Sequence, residues 1–79
     1  YQIEIYPNPT RDYIFVKLKK NQNADIYIYN FLGELIEKVI LNKTKDIYKI
    51  DLFSQSDGVY FIKVNTNKYI VSRKIVLIK

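Results

Sequence analysis

Apolar and polar residues alternate along most of this chain, in short stretches that are separated by turn-forming residues. The alternation has the period of two that a half-buried β-strand requires. It predicts seven strands: one around Ile3 and Ile5, then Tyr13–Leu18, Ala24–Tyr29, Glu34–Leu41, Asp46–Asp51, Asp57–Val64 and Tyr69–Ile78. In three of these strands we expect the inward-facing residues to be Ile14, Val16, Leu18, Ala24, Ile26, Ile28, Tyr60, Ile62 and Val64.

Residues that restrict the backbone separate the strands. Pro7 must end the first strand, and the segment Tyr6-Pro7-Asn8-Pro9-Thr10 predicts a rigid corner in which either proline could be cis. Asn30-Phe31-Leu32-Gly33 predicts a hairpin whose glycine takes a positive φ angle. Asn65-Thr66-Asn67 predicts a turn without glycine, in which asparagine would supply the left-handed conformation. Leu52 is expected to plug one end of the core.

The stretch from Asp57 to Val64 is the strand around which the others are arranged. An acidic residue, Gly58, a spacer and then Tyr60 at the head of the next-to-last strand is the arrangement of a tyrosine corner, in which the tyrosine hydroxyl bonds back to nearby backbone. The alternative is an ordinary strand that contains one aromatic residue. Under either interpretation Tyr60 has an architectural role and not a reactive one.

Seven short strands with frequent turn signals favour a sandwich of two antiparallel sheets over a barrel. The predicted fold class is therefore all-β, a seven-stranded antiparallel immunoglobulin-like β-sandwich. The segment from Phe31 to Leu41 has an alternative interpretation as a helix, because Ile36, Val39 and Ile40 have a partly helical spacing. The glycine turn before the segment and the strands on either side favour a strand.

The composition argues against an enzyme. The chain has 79 residues, enough for one domain with a thin core, and it lacks histidine, cysteine, methionine and tryptophan. The usual metal ligands, thiol nucleophiles and near-neutral acid and base groups are therefore absent from the sequence. We expect no catalytic activity, no metal and no cofactor. Since a translated chain begins with methionine, we also expect the sequence to be a segment of a longer protein.

The formal net charge of +5 is unevenly distributed along the sequence. Residues 1–60 contain eight basic and eight acidic side chains, and the last nineteen residues contain five basic residues and no acid: Lys63, Lys68, Arg73, Lys74 and Lys79. Solvated lysines that protect an edge strand and a contact with an acidic partner both explain this pattern. We expect neither nucleic acid binding, for which no motif is present, nor membrane insertion, which needs about 18 consecutive apolar residues.

Several of these pieces occur in the same order in a known family. Tyr6-Pro7-Asn8-Pro9, Asp12 and the strand after it, Gly33 after the third strand, Gly58-Val59-Tyr60, and the terminal segment from Lys74 to Lys79 resemble the C-terminal sorting domain of type IX secretion substrates in Bacteroidetes. The resemblance covers nearly the whole chain. The recurring positions of that family correspond here to Tyr6, Pro7, Asn8, Pro9, Gly33, Gly58, Tyr60, Lys74 and Lys79.

The resemblance implies that residues 1–79 form a single monomeric sorting domain at the C-terminus of a larger secreted protein. Its partners would be the outer-membrane translocon, the shuttle proteins of the type IX machinery and a sortase-like cysteine protease, which removes the domain at a point near or before Tyr1. The parent would pass through the periplasm and then be secreted or held at the cell surface, often on lipopolysaccharide. The domain itself would be a substrate and not a catalyst.

A docking surface is predicted on one sheet. If the third strand and the last two strands share a sheet, a patch of side chains faces outward beside an open edge of the last strand: Tyr27, Tyr29, Phe61 and Lys63. Cross-strand aromatic pairing that only stabilises the sheet is the alternative. Two other functions stay open: a carbohydrate-binding module that uses the aromatic residues of this patch as its platform, and a structural immunoglobulin-like spacer.

Overall fold

The computed structural model describes residues 3–79, and these residues form seven strands and no helix. Tyr1 and Gln2 lie outside the described residues, and so does the cleavage point expected near or before Tyr1. The all-β prediction is confirmed. The strands are β1 (Glu4–Tyr6), β2 (Tyr13–Lys17), β3 (Ala24–Tyr29), β4 (Leu35–Leu41), β5 (Ile47–Asp51), β6 (Gly58–Thr66) and β7 (Ile70–Leu77).

The strands form two antiparallel sheets that pack against each other. One sheet has the order β1-β2-β5, and the other has the order β4-β3-β6-β7. This is an immunoglobulin-like sandwich, and the prediction that the third and the last two strands share a sheet is confirmed. Strand β6 lies between β3 and β7, so the strand around which the chain was expected to be arranged is central in its sheet.

The core lies between the two sheets and has the residues that the alternation predicts. All nine side chains that were expected to face inward are buried, at 5% exposure or less. Leu52, which follows β5, is 1% exposed and fills the core as predicted. Sheet β4-β3-β6-β7 contributes further apolar residues from its last strand, and these are Val71, Ile75 and Leu77.

The turn after β6 differs from the prediction. The strand continues through Thr66, so the expected turn over Asn65–Asn67 is wrong, and the described residues show no left-handed conformation at either asparagine. The Thr66 hydroxyl accepts hydrogen bonds from the backbone N–H groups of Lys68 and Tyr69. A hydroxyl that bonds to backbone two and three residues ahead makes a tight turn without a positive φ angle. Most of the other predicted strand ends differ from the structure by one residue.

The segment from Phe31 to Leu41 is a hairpin turn followed by β4, so the helical alternative is wrong. The Asn30 side chain fixes the turn, because its Oδ1 accepts hydrogen bonds from the backbone N–H groups of Leu32 and Glu34, each at 2.9 Å. Gly33 has a φ angle of 85°, as predicted. Six residues of β4 pair with β3, with a register shift at Ile36, and this pairing outweighs the partly helical spacing of the apolar residues.

The tyrosine corner is confirmed. Tyr60 is 5% exposed, and its hydroxyl donates a hydrogen bond to the backbone carbonyl of Ser56. Gly58 has a φ angle of 152°, which residues other than glycine rarely adopt. Apart from Gly58 and its two neighbours in the chain, no residue has an atom within 4 Å of the position that a Cβ would occupy. The backbone angle, and not crowding, therefore explains why glycine stands before the tyrosine.

Replacing Tyr60 by phenylalanine should lower the free energy of unfolding by about 0.5–1.5 kcal/mol, because the ring stays buried and only the hydrogen bond to Ser56 is lost. Denaturant titration measures this difference. Tyr29→Phe is the matched control, since the described residues make no hydrogen bond to the Tyr29 hydroxyl, and it should leave the midpoint nearly unchanged. Equal unfolding midpoints for the Tyr60→Phe variant and the unsubstituted domain would contradict the assignment of Tyr60 to a tyrosine corner.

Candidate recognition surface

The strand register brings most of the predicted motif residues to one end of the sandwich. The start of β2 pairs with the end of β5, and the start of β6 pairs with the end of β7. The segments 7–12, 30–34, 52–57 and 78–79 therefore lie together at this end, which we call the motif end. Five of the nine predicted motif residues lie in these segments, namely Pro7, Asn8, Pro9, Gly33 and Lys79. Three more, Tyr6, Gly58 and Tyr60, lie in the adjoining strands within three residues of them, and we count them with the motif end.

The proline corner lies on the outer edge of β7. The backbone N–H of Thr10 donates to the carbonyl of Val76, and the N–H of Ile78 donates to the carbonyl of Thr10, both at 2.8 Å. These bonds make a short parallel bridge between Thr10 and Leu77. A segment near the beginning of the described chain thus covers the edge of the last strand.

Asn8 extends this contact with its side chain. Its Nδ2 donates to the carbonyl of Lys74 at 2.7 Å, and its Oδ1 accepts from the N–H of Val76 at 3.0 Å. The carboxamide therefore replaces a backbone peptide group in the pairing with β7. The corner needs such a replacement because Pro7 and Pro9 have no N–H to donate. Both prolines follow cis peptide bonds.

The last residue of the chain binds the segment after β5. The backbone N–H of Lys79 donates to Oδ1 of Asp57 at 3.1 Å, and its Nζ donates to the carbonyl of Phe53 at 2.6 Å. The same ammonium group lies 5.3 Å from the centroid of the Phe53 ring, within the range of a cation–π contact. The end of β7 and the residues after it are therefore bound at two places. The corner binds residues 74–78, and residues 53–57 bind Lys79.

Four apolar side chains at the motif end are exposed to solvent, and none of them is among the predicted site residues. They are Phe31 (74% exposed), Leu32 (80%), Phe53 (69%) and Ile78 (54%). A shallow groove of about 140 Å³ runs between the hairpin turn and the start of β6. Turns between strands usually contain polar residues, so the two adjacent apolar residues Phe31 and Leu32 in a predicted hairpin turn already indicate exposed apolar side chains.

The predicted docking patch lies on the outer face of sheet β4-β3-β6-β7. The register pairs Tyr27 with Lys63 and Tyr29 with Phe61. The two tyrosine rings stack with centroids 6.4 Å apart, and the Nζ atom of Lys63 lies 5.2 Å from the Tyr27 centroid. Phe61 is 40% exposed and the other three side chains are half-buried. The structure thus brings the four residues together, with internal contacts that stabilise the sheet.

Lys74 connects the two surfaces. It pairs with Phe61 across β6 and β7, so its side chain lies on the same face as the patch, while its backbone carbonyl binds Asn8. The expectation of an open edge on the last strand is wrong for residues 74–78. The corner covers the outer side of residues 74–78, and within β7 only residues 70–73 have neither a strand nor the corner of the described chain on their outer side.

Residues 3–79 contain no group of three or more histidine, cysteine, aspartate or glutamate side chains that could hold a metal ion. In the same range no helix has the length and apolar character needed to cross a membrane.

The geometry defines a small antiparallel sandwich whose distinguishing features are a corner bound to the last strand and apolar side chains around it. A family model described as the secretion system C-terminal sorting domain matches residues 4–79, so the chain belongs to the family of type IX secretion C-terminal sorting domains. This confirms the family predicted from the motifs. A comparison with curated proteins found no match.

Membership establishes the general role of the chain. Domains of this family are sorting signals for type IX secretion, and the family is not one of enzymes. They mark proteins for an extracellular or cell-surface destination and interact with the type IX secretion system.

Replacing Asn8 by alanine should lower the free energy of unfolding by about 1–3 kcal/mol, because two hydrogen bonds to β7 are lost. It should also speed hydrogen exchange at the Val76 amide, which would lose its acceptor. Denaturant titration and amide exchange measure the two effects. Asn42→Ala, at an exposed asparagine for which the described residues provide no side-chain hydrogen bond, is the control and should change neither. Unaltered exchange at Val76 in the Asn8→Ala variant would contradict the role given to the carboxamide.

Proposed function

We propose that this domain is a removable C-terminal address. It directs a parent protein from the periplasm through the type IX outer-membrane translocon, is recognised on the way by shuttle proteins of that machinery, and is then removed by a sortase-like cysteine protease. The parent is released or is joined to surface lipopolysaccharide. The family membership of residues 4–79 supports the sorting role, and the domain acts in it as a folded ligand without catalysis or cofactor.

The machinery reads the motif end in this proposal. The observation that carries it is that eight of the nine motif positions, far apart in sequence, build one surface around the bound corner. That surface displays four exposed apolar side chains, which is the kind of anchor that dominates binding energy in protein interfaces. The outward side chain of Lys74 adds a positive charge beside it.

The connectivity of the sandwich suits this arrangement. β1 starts at the opposite end, where Glu4 pairs with Lys17, and runs toward the motif end. A parent protein joined ahead of β1 therefore approaches the domain from the opposite end. The motif end stays free for the secretion machinery while the parent is attached.

The sheet face is the second part of the proposed contact. A carbohydrate platform needs an open aromatic face, and the Nζ atoms of Lys38 and Lys63 both lie within 6 Å of the Tyr27 ring centroid, at 5.6 and 5.2 Å. The stacked tyrosines with their lysines fit a protein surface better than a sugar. We therefore propose that Tyr27, Tyr29, Phe61 and Lys63 extend the docking surface of the motif end.

Export should be tested with substitutions that leave the fold intact. Removal of residues 74–79 would also remove Ile75 and Leu77, which are 1% and 0% exposed, and the carbonyl and amide groups that hold Asn8. Loss of export after that deletion would not separate unfolding from lost recognition. Exposed side chains avoid the difficulty because their replacement usually changes stability by less than 0.5 kcal/mol or so.

Replacing Phe31 and Leu32 together by serine should reduce export of a reporter fused ahead of the domain by about tenfold or more, because the most exposed anchors of the motif end are lost. Extracellular reporter is measured in a host that has type IX secretion. The matched control is the Ile40→Ser, Ile70→Ser variant, which removes two similarly exposed apolar side chains, 60% and 61%, outside the motif end. Equal export of the two variants would contradict recognition at the motif end.

Replacing Tyr27 and Phe61 by threonine should reduce export severalfold and less than the Phe31 and Leu32 replacement does, since threonine keeps the β-propensity of these positions while the aromatic patch is lost. Circular dichroism checks that the domain still folds. Folded protein with undiminished export would confine recognition to the motif end and exclude the sheet face.

A further inference from the structure

The end of the sandwich opposite the motif end is strongly basic. It consists of three segments, residues 18–23, 42–46 and 67–69, which we call the basic end; the pairings of Glu4 with Lys17 and of Asn65 with Ile70 place their strands here. The segments contain five lysines and one acidic residue, Asp46, so they have four of the chain's net five positive charges. The lysines are Lys19, Lys20, Lys43, Lys45 and Lys68.

Buried Thr44 fixes two of these segments against each other. It is 2% exposed, its hydroxyl donates to the carbonyl of Lys19 at 2.5 Å, and the same oxygen accepts from the N–H of Gln22 at 3.2 Å. Its backbone bonds to the other loop as well: its N–H donates to the carbonyl of Gln22 at 2.8 Å, and its carbonyl accepts from the N–H of Asn21 at 2.9 Å. The loops are therefore locked together.

The third segment is similarly ordered, because the Thr66 hydroxyl accepts from the N–H of Lys68 at 3.2 Å. Between the first and third segments lies an open cleft of about 420 Å³. Its lining contains Lys19, Lys20 and Lys68, and the remaining lining residues are asparagines and a glutamine. The three lysines thus face a common space whose other walls are hydrogen-bonding amides, without a carboxylate to neutralise them.

The five lysines have no ion-pair partner within residues 3–79. The one salt bridge in that range joins Lys17 Nζ and Glu4 at 3.7 Å. Like charges held on interlocked loops repel one another, and exposed loop positions accept neutral polar residues equally well. The arrangement therefore disfavours the free domain slightly and favours a bound anion.

The composition of the cleft narrows the class of ligand. Sugar rings and nucleic acid bases are usually held by stacking on aromatic side chains, and no aromatic residue lines the cleft. Lysine ammonium groups spread over three loops fit several separate phosphate groups better than one small ion, because lysine binds phosphate as a mobile point charge. Phosphates spread over an area are found on the surface of an anionic membrane.

We propose that the basic end binds the phosphate-bearing surface of an anionic membrane. The lysines of the three loops contact lipid headgroups, and Thr44 holds two of the loops in the arrangement that lets them do so together. Bound in this way, the domain presents the motif end away from the membrane surface. The proposal depends on the charges and hydrogen bonds of this end alone and is independent of which surface the secretion machinery reads.

The test measures binding of the 79-residue chain to vesicles of phosphatidylcholine that contain one third phosphatidylglycerol, by cosedimentation at moderate salt. The variant Lys19→Gln, Lys20→Gln, Lys68→Gln should bind roughly ten- to a hundredfold more weakly. The control variant Lys38→Gln, Lys49→Gln, Lys63→Gln has the same net charge, and its substitutions lie on strands, at lysines that stack on Tyr27 and Tyr13. This control variant should bind the vesicles almost as tightly as the unsubstituted 79-residue domain does.

Two further measurements make the outcome decisive. Thr44→Val keeps every charge but removes the hydroxyl that joins the loops, so it should weaken vesicle binding severalfold in chain that circular dichroism shows to be folded. Soluble polyphosphate distinguishes the source of the phosphate: tight binding to it with no binding to the vesicles would overturn the membrane proposal. Equal weakening in both triple variants would also overturn it, because binding would then follow net charge and not the basic end.

Discussion

The hydrogen bonds between the proline corner and β7 are the interaction on which the form of the motif end, and with it the proposed recognition surface, depends. β7 is the last strand of its sheet and contributes Ile75 and Leu77 to the core, yet it has a single neighbouring strand. Such an edge is prone to fraying and to pairing with other chains. Asn8 and Thr10 cover the half of it that leads into the motif end. The first and last segments of the sandwich thereby stabilise each other, and the motif end has this form only where both are folded.

Periodicity explains how much of the fold could be predicted. Alternation of apolar and polar residues is a local property, so it predicted all seven strands and the buried sets of β2, β3 and β6. Local spacing also sufficed for Gly33 and for Tyr60, whose partner is four residues away. It failed for the turn after β6, because a threonine hydroxyl replaces the backbone conformation that asparagine was expected to supply. It could not find the partners of Asn8, which lie 66 and 68 residues ahead.

Charge shows the same limit more clearly. Counted along the sequence, the positive excess belongs to the last two strands. In the fold these five residues are dispersed: Lys63 stacks on Tyr27, Lys79 binds the carbonyl of Phe53, and Lys68 is at the basic end. The lysines of residues 18–23 and 42–46, which acidic residues elsewhere balance in the count, become a concentrated positive surface. Electrostatic potential depends on distance in space, so a sum over sequence cannot locate it.

The motif residues build the surface more than they display it. Gly33 and Gly58 supply backbone angles, Tyr60 is buried with its hydroxyl on backbone, and the polar atoms of Asn8 are both used within the fold. These four residues therefore offer a partner no polar side-chain atom that is unused within the fold. The side chains that are available to a partner, such as those of Phe31 and Leu32, lie between the motif positions, on segments whose conformation the motif residues determine. A partner that binds this end would therefore recognise the backbone conformation together with the apolar side chains on it. A substitution at a motif position would weaken such binding by changing that conformation.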